Sequence, residues 1–237
     1  MAVSKQGTLP AQSFDNVGEL RERIEGQKPR RRYFLIVCEG EKPEPNYFDS
    51  IRRMLPREMA DRITVKGQGY STLRLVEAAC DKNKERLSSG MPPYYHIWVV
   101  FDKDSFEDDD FDNAITKISA LDRPSESNEG QDQHWHAAWS NEAFELWYIL
   151  HFQETTGGPL SRSSYQQMLE KHIMNCCGID RPYKKNATDM FTLLMRYTPQ
   201  AIVRANNALR MQAGKSPHAQ NPATTVHLLV EELLRYL

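Results

Sequence analysis

The stretch 32–40, "RYFLIVCEG", decides the fold. An unbroken apolar run of strand length that stops at a Gly reads as a strand buried on both faces, and such strands belong to parallel sheets covered by helices. Working outward, "EPNYFDSIRRML" (44–55) sets Tyr47, Phe48, Ile51 and Leu55 at helical spacing, with Pro43 or Pro45 suited to the first turn. A short strand is expected at 62–66 ("RITVK"), then a helix over 71–87 capped by Ser71 or Thr72. "YYHIWVVFDKD" (94–104) is a second buried-strand signal, rich in β-branched and aromatic residues, and a helix is expected at 109–121. A polar, turn-rich loop at 122–133 leads to a fourth strand, "WHAAWS" (135–140). "SNEAFELWYILHF" (140–152) then reads as a helix buried almost all round. Strand and helix alternate from 33 to 152, which defines an α/β unit with a mainly parallel sheet flanked by helices.

On either side of this unit, expected to span 30–153, the character changes. Residues 1–29 are polar and read as a poorly ordered lead-in, with a short helical possibility at 16–25. From "ETTGGPLS" (154–161) onward, helical periodicity recurs at 163–175, 187–197, 199–213 and 223–237, and no further strand is evident. Residues 154–237 are therefore expected to form a helical extension packed on the sheet. The stripe Thr225, Leu228, Leu229, Leu233 and Leu234 is read as its core-facing edge.

Composition narrows the classes. Of 237 residues, 40% are hydrophobic and 26% charged, ordinary for a globular protein with a sizeable core. The longest apolar run, within 143–150, is too short to span a bilayer, and the N-terminal segment lacks the apolar stretch of a secretory signal. A cytoplasmic protein with no membrane partner is expected. Cys38 and Cys80 fall in apolar segments and read as buried thiols; Cys176 and Cys177 are adjacent, which is not metal-ligand spacing. The formal net charge of −2 excludes a nucleic-acid binder that works by bulk positive charge. Any such contact must use local patches, of which 28–32 ("KPRRR") and 183–185 ("YKK") are the candidates; each is also ordinary solvated surface.

In an open parallel sheet, function collects outside the carboxyl ends of the strands. Three acidic features fall there. Glu39 closes the first strand, Asp102 and Asp104 close the third, and Glu145 lies about one turn into the apolar helix. Residues two apart at the end of an extended strand point to one side, so Asp102 and Asp104 can face one site. Paired carboxylates suit Mg²⁺ or Mn²⁺, and two such ions clamp the attacking and leaving oxygens in phosphoryl chemistry. Glu145 poses the sharpest question, because a lone carboxylate among Phe144, Leu146, Trp147, Tyr148, Ile149 and Leu150 is costly without a partner. A metal ion shared with Asp102 and Asp104 is the expected one, with a buried Lys or Arg as the alternative; Glu39 in turn could cap the following helix or answer Arg30, Arg31 and Arg32. The order, a Glu after strand one and a DxD after strand three, sets the chain apart from haloacid-dehalogenase phosphatases and response-regulator receivers, whose acids follow the first strand.

Other polar features have plainer explanations. His134-x-His136 lacks an evident third ligand, and His151 and His172 read as packing or helix-surface residues. The acids from Glu107 to Asp110 lack the Gly and distal Glu of a calcium loop and suit a helix start.

The order of acids is similar to that of the Toprim fold, the α/β module of topoisomerases, bacterial primases and overcoming-lysogenisation-defect nucleases. More closely, "VCEGEKPEPNYF", "VFDKDSF", "SNEAFELWYILHF" and "NPATTVHLLVEEL" resemble the RloB-like family, Toprim-related and associated with restriction and phage defence. The resemblance covers about 33–237. It implies a two-metal nuclease acting on DNA or RNA, with Mg²⁺ or Mn²⁺ as cofactor and an ATPase partner from the same defence operon. Carried over by position, Glu39 looks like a metal ligand or general acid/base, and Asp102, Asp104 and Glu145 like metal ligands. Glu44 and Glu41 compete for a second acid, and Glu44 also suits a helix start. Ser140 or Asn141 takes a supporting polar role, with Asn141 one helical turn from Glu145. Lys184 or Lys185 is the candidate for stabilising charge on the phosphate, and Lys42 for contacting substrate. The alternative is a non-catalytic Toprim-like module that recruits nucleic acid or the ATPase; a phosphoryl-transfer enzyme acting on nucleotides is a third possibility.

Overall fold

The computed structural model describes residues 32–104, 107–122, 133–155, 161–178 and 183–237. The expected lead-in at 1–29, its short helix and the basic residues 28–31 lie outside them.

Four strands run parallel. β1 (Phe34–Cys38) pairs on one side with β2 (Ile63–Gly67) and on the other with β3 (His96–Asp102), which pairs in turn with β4 (His134–Asn141). A two-residue β5 (Ala223–Thr224) adds antiparallel to the end of β4, giving the order β2-β1-β3-β4-β5. Because successive side chains of a strand point to opposite faces, the apolar runs divide between two cores. Phe34, Ile36, Cys38, Trp98, Val100 and Ala138 enter one; Leu35, Val37, Ile97, Val99, Phe101, Trp135 and Trp139 enter the other.

The helices sort by the core they cover. α1 (Pro43–Met54) lays Tyr47, Phe48 and Ile51 on the first core, followed by the short α2 (Arg57–Ala60). α3 (Thr72–Ser88) and α4 (Asp108–Leu121) bring Leu75, Val76, Ala79, Phe111, Ala114 and Ile118 to the second. α5 (Glu145–Leu150), α6 (Arg162–Cys177), α7 (Met190–Leu194), α8 (Thr198–Met211) and α9 (Val226–Leu234) all contribute to the first. Residues Arg32–Leu237 therefore form one compact unit in which the C-terminal helices share a core with the sheet. Among the described residues no helix is long and apolar enough to cross a membrane.

β5 corrects the expectation of an all-helical C-terminal segment. It is followed by Thr225, whose hydroxyl accepts the Trp139 N–H at 2.8 Å and donates to the Ala137 carbonyl at 3.1 Å, so one side chain extends the cover over the β4 edge. Upstream, His218 binds Asp112 through its backbone N–H (2.9 Å) and Nδ1 (2.7 Å), pinning the approach to β5 against α4.

Other expectations shift in detail. Leu228 is 42% exposed, and the buried stripe of α9 is Val226, Leu229, Val230 and Leu233. Cys80 is only half-buried, whereas Cys38 is fully enclosed. His134 and His136 stand beside His96 of β3; His96 Nδ1 and His136 Nε2 are 3.1 Å apart, and Trp98 stacks on His136. Burial, then the neighbouring histidines, pushes His96 down to about 3, and burial lowers His136 as well, so these two rings pack as neutral groups.

Candidate functional site

The chain leaves β1 for β2 on one side and returns to β3 on the other, so the carboxyl ends of β1 and β3 flank the topological switch point of the sheet. Glu39 and Asp102 stand there. The Glu39 N–H donates to the Val100 carbonyl at 2.9 Å, continuing the ladder past the strand, and Glu39 Oε2 accepts the Asp102 N–H at 3.0 Å. Beyond Asp102, the Lys103 and Asp104 N–H groups donate to the Ser140 and Glu142 carbonyls, both at 2.9 Å, which keeps this turn against the end of β4.

Asp104 faces the same site as Asp102 for a reason other than strand alternation. Its φ of 39° lies in the left-handed region, which Asp tolerates better than most residues. The chain turns there, and both carboxylates meet a single guanidinium. Arg162 Nη1 donates to Asp104 Oδ2 at 2.6 Å and Nη2 to Asp102 Oδ2 at 3.0 Å. Arg162 is the first residue of α6, where the helix dipole disfavours a cation, so the acids must fix its position. Among the described residues, no three His, Cys, Asp or Glu side chains stand close enough together to hold a metal ion.

Glu44 and Glu145 complete the group. Pro43 opens α1 and puts Glu44 in its first turn, 6% exposed, with Oε2 buried and unpartnered. Gly40 makes room for it: a Cβ there would collide with the Glu44 carboxylate. Glu41 lies instead against Gly69, exposed on the β2 side, so the fold brings Glu44 and not Glu41 to the cluster. Glu145 is 3% exposed and begins α5, accepting a long 3.5 Å hydrogen bond from the Tyr183 hydroxyl. At the other end of α5, Arg204 Nη1 donates to the Leu150 and His151 carbonyls, both at 2.9 Å, and so fixes the helix that carries Glu145.

The carboxylates interact strongly. Burial, opposed by the Asp102 N–H and reinforced by Glu44 and Asp104, raises Glu39 to about 7. Burial, reinforced by Glu145 and opposed by Arg162 and Lys185, raises Glu44 to about 7. Burial and the charges of Glu44, Glu39 and Glu145 push Asp102 well above the usual carboxylate range. Arg162 loses solvation on burial, but the four acids Asp102, Asp104, Glu145 and Glu39 outweigh that and raise its pKa.

A pH dependence follows. Glu39 titrates at about 7 when folded against an ordinary 4.5, so between those values the folded chain binds more protons than the unfolded one. Its contribution to stability is complete below pH 4.5 and lost as the pH rises through 7. Glu39→Gln keeps the acceptor for the Asp102 N–H without the charge. Its melting temperature in the absence of divalent ions should match the wild type at pH 4.5 and exceed it by roughly 3–6 °C at pH 8, an advantage of about 1–2 kcal/mol. An unchanging difference between the two melts across this range would remove the buried-charge account of Glu39.

Other expected site residues divide. Lys185 is exposed at the rim, its charge reaching Glu44, and Lys184 is exposed beside it. Asn46 of α1 donates to the Asn186 carbonyl at 3.2 Å and so ties this loop to α1. Lys42 is exposed at the N-cap of α1. Ser140 ends the expected strand, but Asn141 is corrected: it too is on β4, not one helical turn from Glu145, because the strand runs on to Asn141 and the helix starts only at Glu145. Ser140 Oγ is 3.0 Å from Thr224 Oγ1, and Asn141 Nδ2 donates to the His218 carbonyl at 2.6 Å, so both serve the β5 junction. Glu145 is likewise the first residue of α5 rather than one turn into it. Arg162 and Tyr183 escaped the sequence reading as members of the cluster. Arg162 had no local signal, whereas Tyr183 sits in the "YKK" patch already marked.

These features define an α/β protein whose parallel sheet carries a buried carboxylate cluster, bridged by an arginine, at its switch point. The chain belongs to the RloB-like protein family, whose model matches residues 34–233 and so takes in every member of the cluster. No curated protein and no solved structure matches the chain.

Proposed function

We propose that the chain is a divalent-metal-dependent nuclease with a Toprim-type site, hydrolysing phosphodiester bonds of DNA or RNA in anti-phage defence beside an ATPase partner. One observation carries this reading: Glu39, Glu44, Asp102, Asp104 and Glu145 come from three segments of the chain to one switch point, although mutual repulsion and burial make the gathering costly. The donor set fits Mg²⁺ or Mn²⁺ in its chemistry, since every candidate ligand is a carboxylate oxygen and Glu44 Oε2 is buried without a protein partner, but the side chains must draw together around an ion, because no three of them stand close enough as they are. Glu44, Asp102, Asp104 and Glu145 would hold the ions, which when bound polarise the phosphate and activate water. Glu39, titrating at about 7, can both give and take a proton near neutrality, and the Asp102 N–H on Oε2 leaves Oε1 to carry it. Lys185, whose charge reaches Glu44, and the neighbouring exposed Lys184 are suited to a phosphate oxygen of the substrate.

The test is cleavage of single-stranded DNA, duplex DNA and transfer RNA with Mn²⁺, by the wild type and by Glu145→Gln. The variant should cleave on the order of 10–100-fold more slowly and bind Mn²⁺ more weakly by calorimetry, with its melting temperature in metal-free buffer not lowered. Equal cleavage by both proteins would sink the assignment of Glu145. A second reading, the non-catalytic recruiting module, draws support from Arg162, which pairs with both Asp102 and Asp104 as they stand. Nucleic-acid binding without cleavage of any of these substrates would favour it.

A further inference from the structure

Arg162 occupies the position on which the proposed metal chemistry depends. Its two terminal nitrogens go to different carboxylates, so the guanidinium stands between Asp102 and Asp104. The grip is incomplete: Nε is buried with no acceptor, a desolvated donor that costs free energy for as long as the side chain stays. The side chain is 33% exposed, so a route to solvent exists, and at the first position of α6 the helix dipole opposes its charge. A divalent ion beside the same carboxylates has twice the charge of the guanidinium and no long side chain to hold in place.

We propose that Arg162 is a displaceable counter-ion: it holds Asp102 and Asp104 until a divalent cation takes their oxygens, and entry of the cation releases the side chain. The cluster is then easier to fold without metal, because one of its buried acids, Asp102, is already paired, and metal affinity is set by competition with an internal cation. Resting on the metal reading above, this inference adds that the metal-free chain carries its own counter-ion and that the same residue gates its loading.

Two measurements on the intact protein test it. In the wild type, arginine labelling by phenylglyoxal, quantified at Arg162 by peptide mass spectrometry, should rise several-fold when Mn²⁺ is added. By calorimetry, Arg162→Gln should bind Mn²⁺ about tenfold more tightly, the factor expected if the arginine-free arrangement is populated roughly one-tenth of the time in the wild type. Arg162→Lys, which keeps a charge but loses the fork, should fall between the two. Labelling that does not change while calorimetry shows Mn²⁺ bound to the wild type overturns the displacement and leaves the metal reading standing. No Mn²⁺ bound by either the wild type or Arg162→Gln overturns both. Binding by Arg162→Gln alone supports the gate in its strongest form. Should Arg162→Gln fail to fold, the wild-type labelling and Arg162→Lys still decide.

Discussion

Asp102→Asn should melt at a higher temperature than the wild type in metal-free buffer at pH 8, and should lose cleavage. Asp102 is 5% exposed, and burial together with Glu44, Glu39 and Glu145 holds its carboxyl well above the usual range. A charge that the folded state resists costs stability once the pH forces it, and an amide of the same shape removes that cost while still offering an oxygen to Arg162 Nη2. The gain should be on the order of 1–2 kcal/mol. Cleavage should fall by roughly two to three orders of magnitude, and the Mn²⁺-induced rise in melting temperature should disappear. Thermal melts with and without Mn²⁺, run beside the cleavage assay, read all three. A variant that melts lower would make the Asp102–Arg162 pair primarily structural, and unchanged cleavage would remove Asp102 from the chemistry.

Trp147→Ala should have the opposite profile, a large loss of stability with no direct effect on the carboxylates. Trp147 is fully buried among the aromatic residues of the first core, its ring edge against His151 at 4.6 Å. Its Nε1 donates to the Tyr47 hydroxyl at 2.8 Å, and Tyr47 is itself 1% exposed. Truncation removes a large buried surface, leaves a cavity that this packed region cannot close, and strands the hydroxyl. The expected cost is about 4–5 kcal/mol, whereas Trp147→Phe, which refills most of the space, should cost about half as much. Guanidinium unfolding midpoints measure the difference. Since Glu145 is two residues away on the same helix, the loss should also weaken Mn²⁺ binding. A cost below about 1 kcal/mol would mean that the core reorganises around the gap.

The parallel sheet was legible because each of its main strands is buried on both faces, which turns "FLIVC" and "HIWVVF" into unbroken apolar runs. The same completeness of burial hid the junction between β4 and α5. Residues from Ala143 to Leu150 are enclosed on all sides, so no polar face marks where the strand stops, and the sequence pattern runs Asn141 into the helix. β5 was invisible for a different reason: two residues carry no period, and its cover of β4 depends on the Thr225 hydroxyl. Among the acids, Glu39, Asp102 and Asp104 were legible as strand-end residues. The choice of Glu44 over Glu41 turned on how Pro43 starts α1 and on the space left by Gly40, which spacing alone does not reveal. Arg162 lies in the polar stretch "SRSSYQQ", 60 residues from Asp102, and its pairing exists only in three dimensions.

The short β5 and the Thr225 side chain have a consequence for the behaviour of the chain in solution. Without them, the end of β4 would offer unpaired N–H and carbonyl groups beside the apolar Trp139 and Ala138, a template on which a second chain could add a strand. The residues from His218 to Thr225 act as an edge guard as well as a closing element. A shortened chain that lost them would face self-association through an open sheet, a hazard distinct from the loss of any contact in the core.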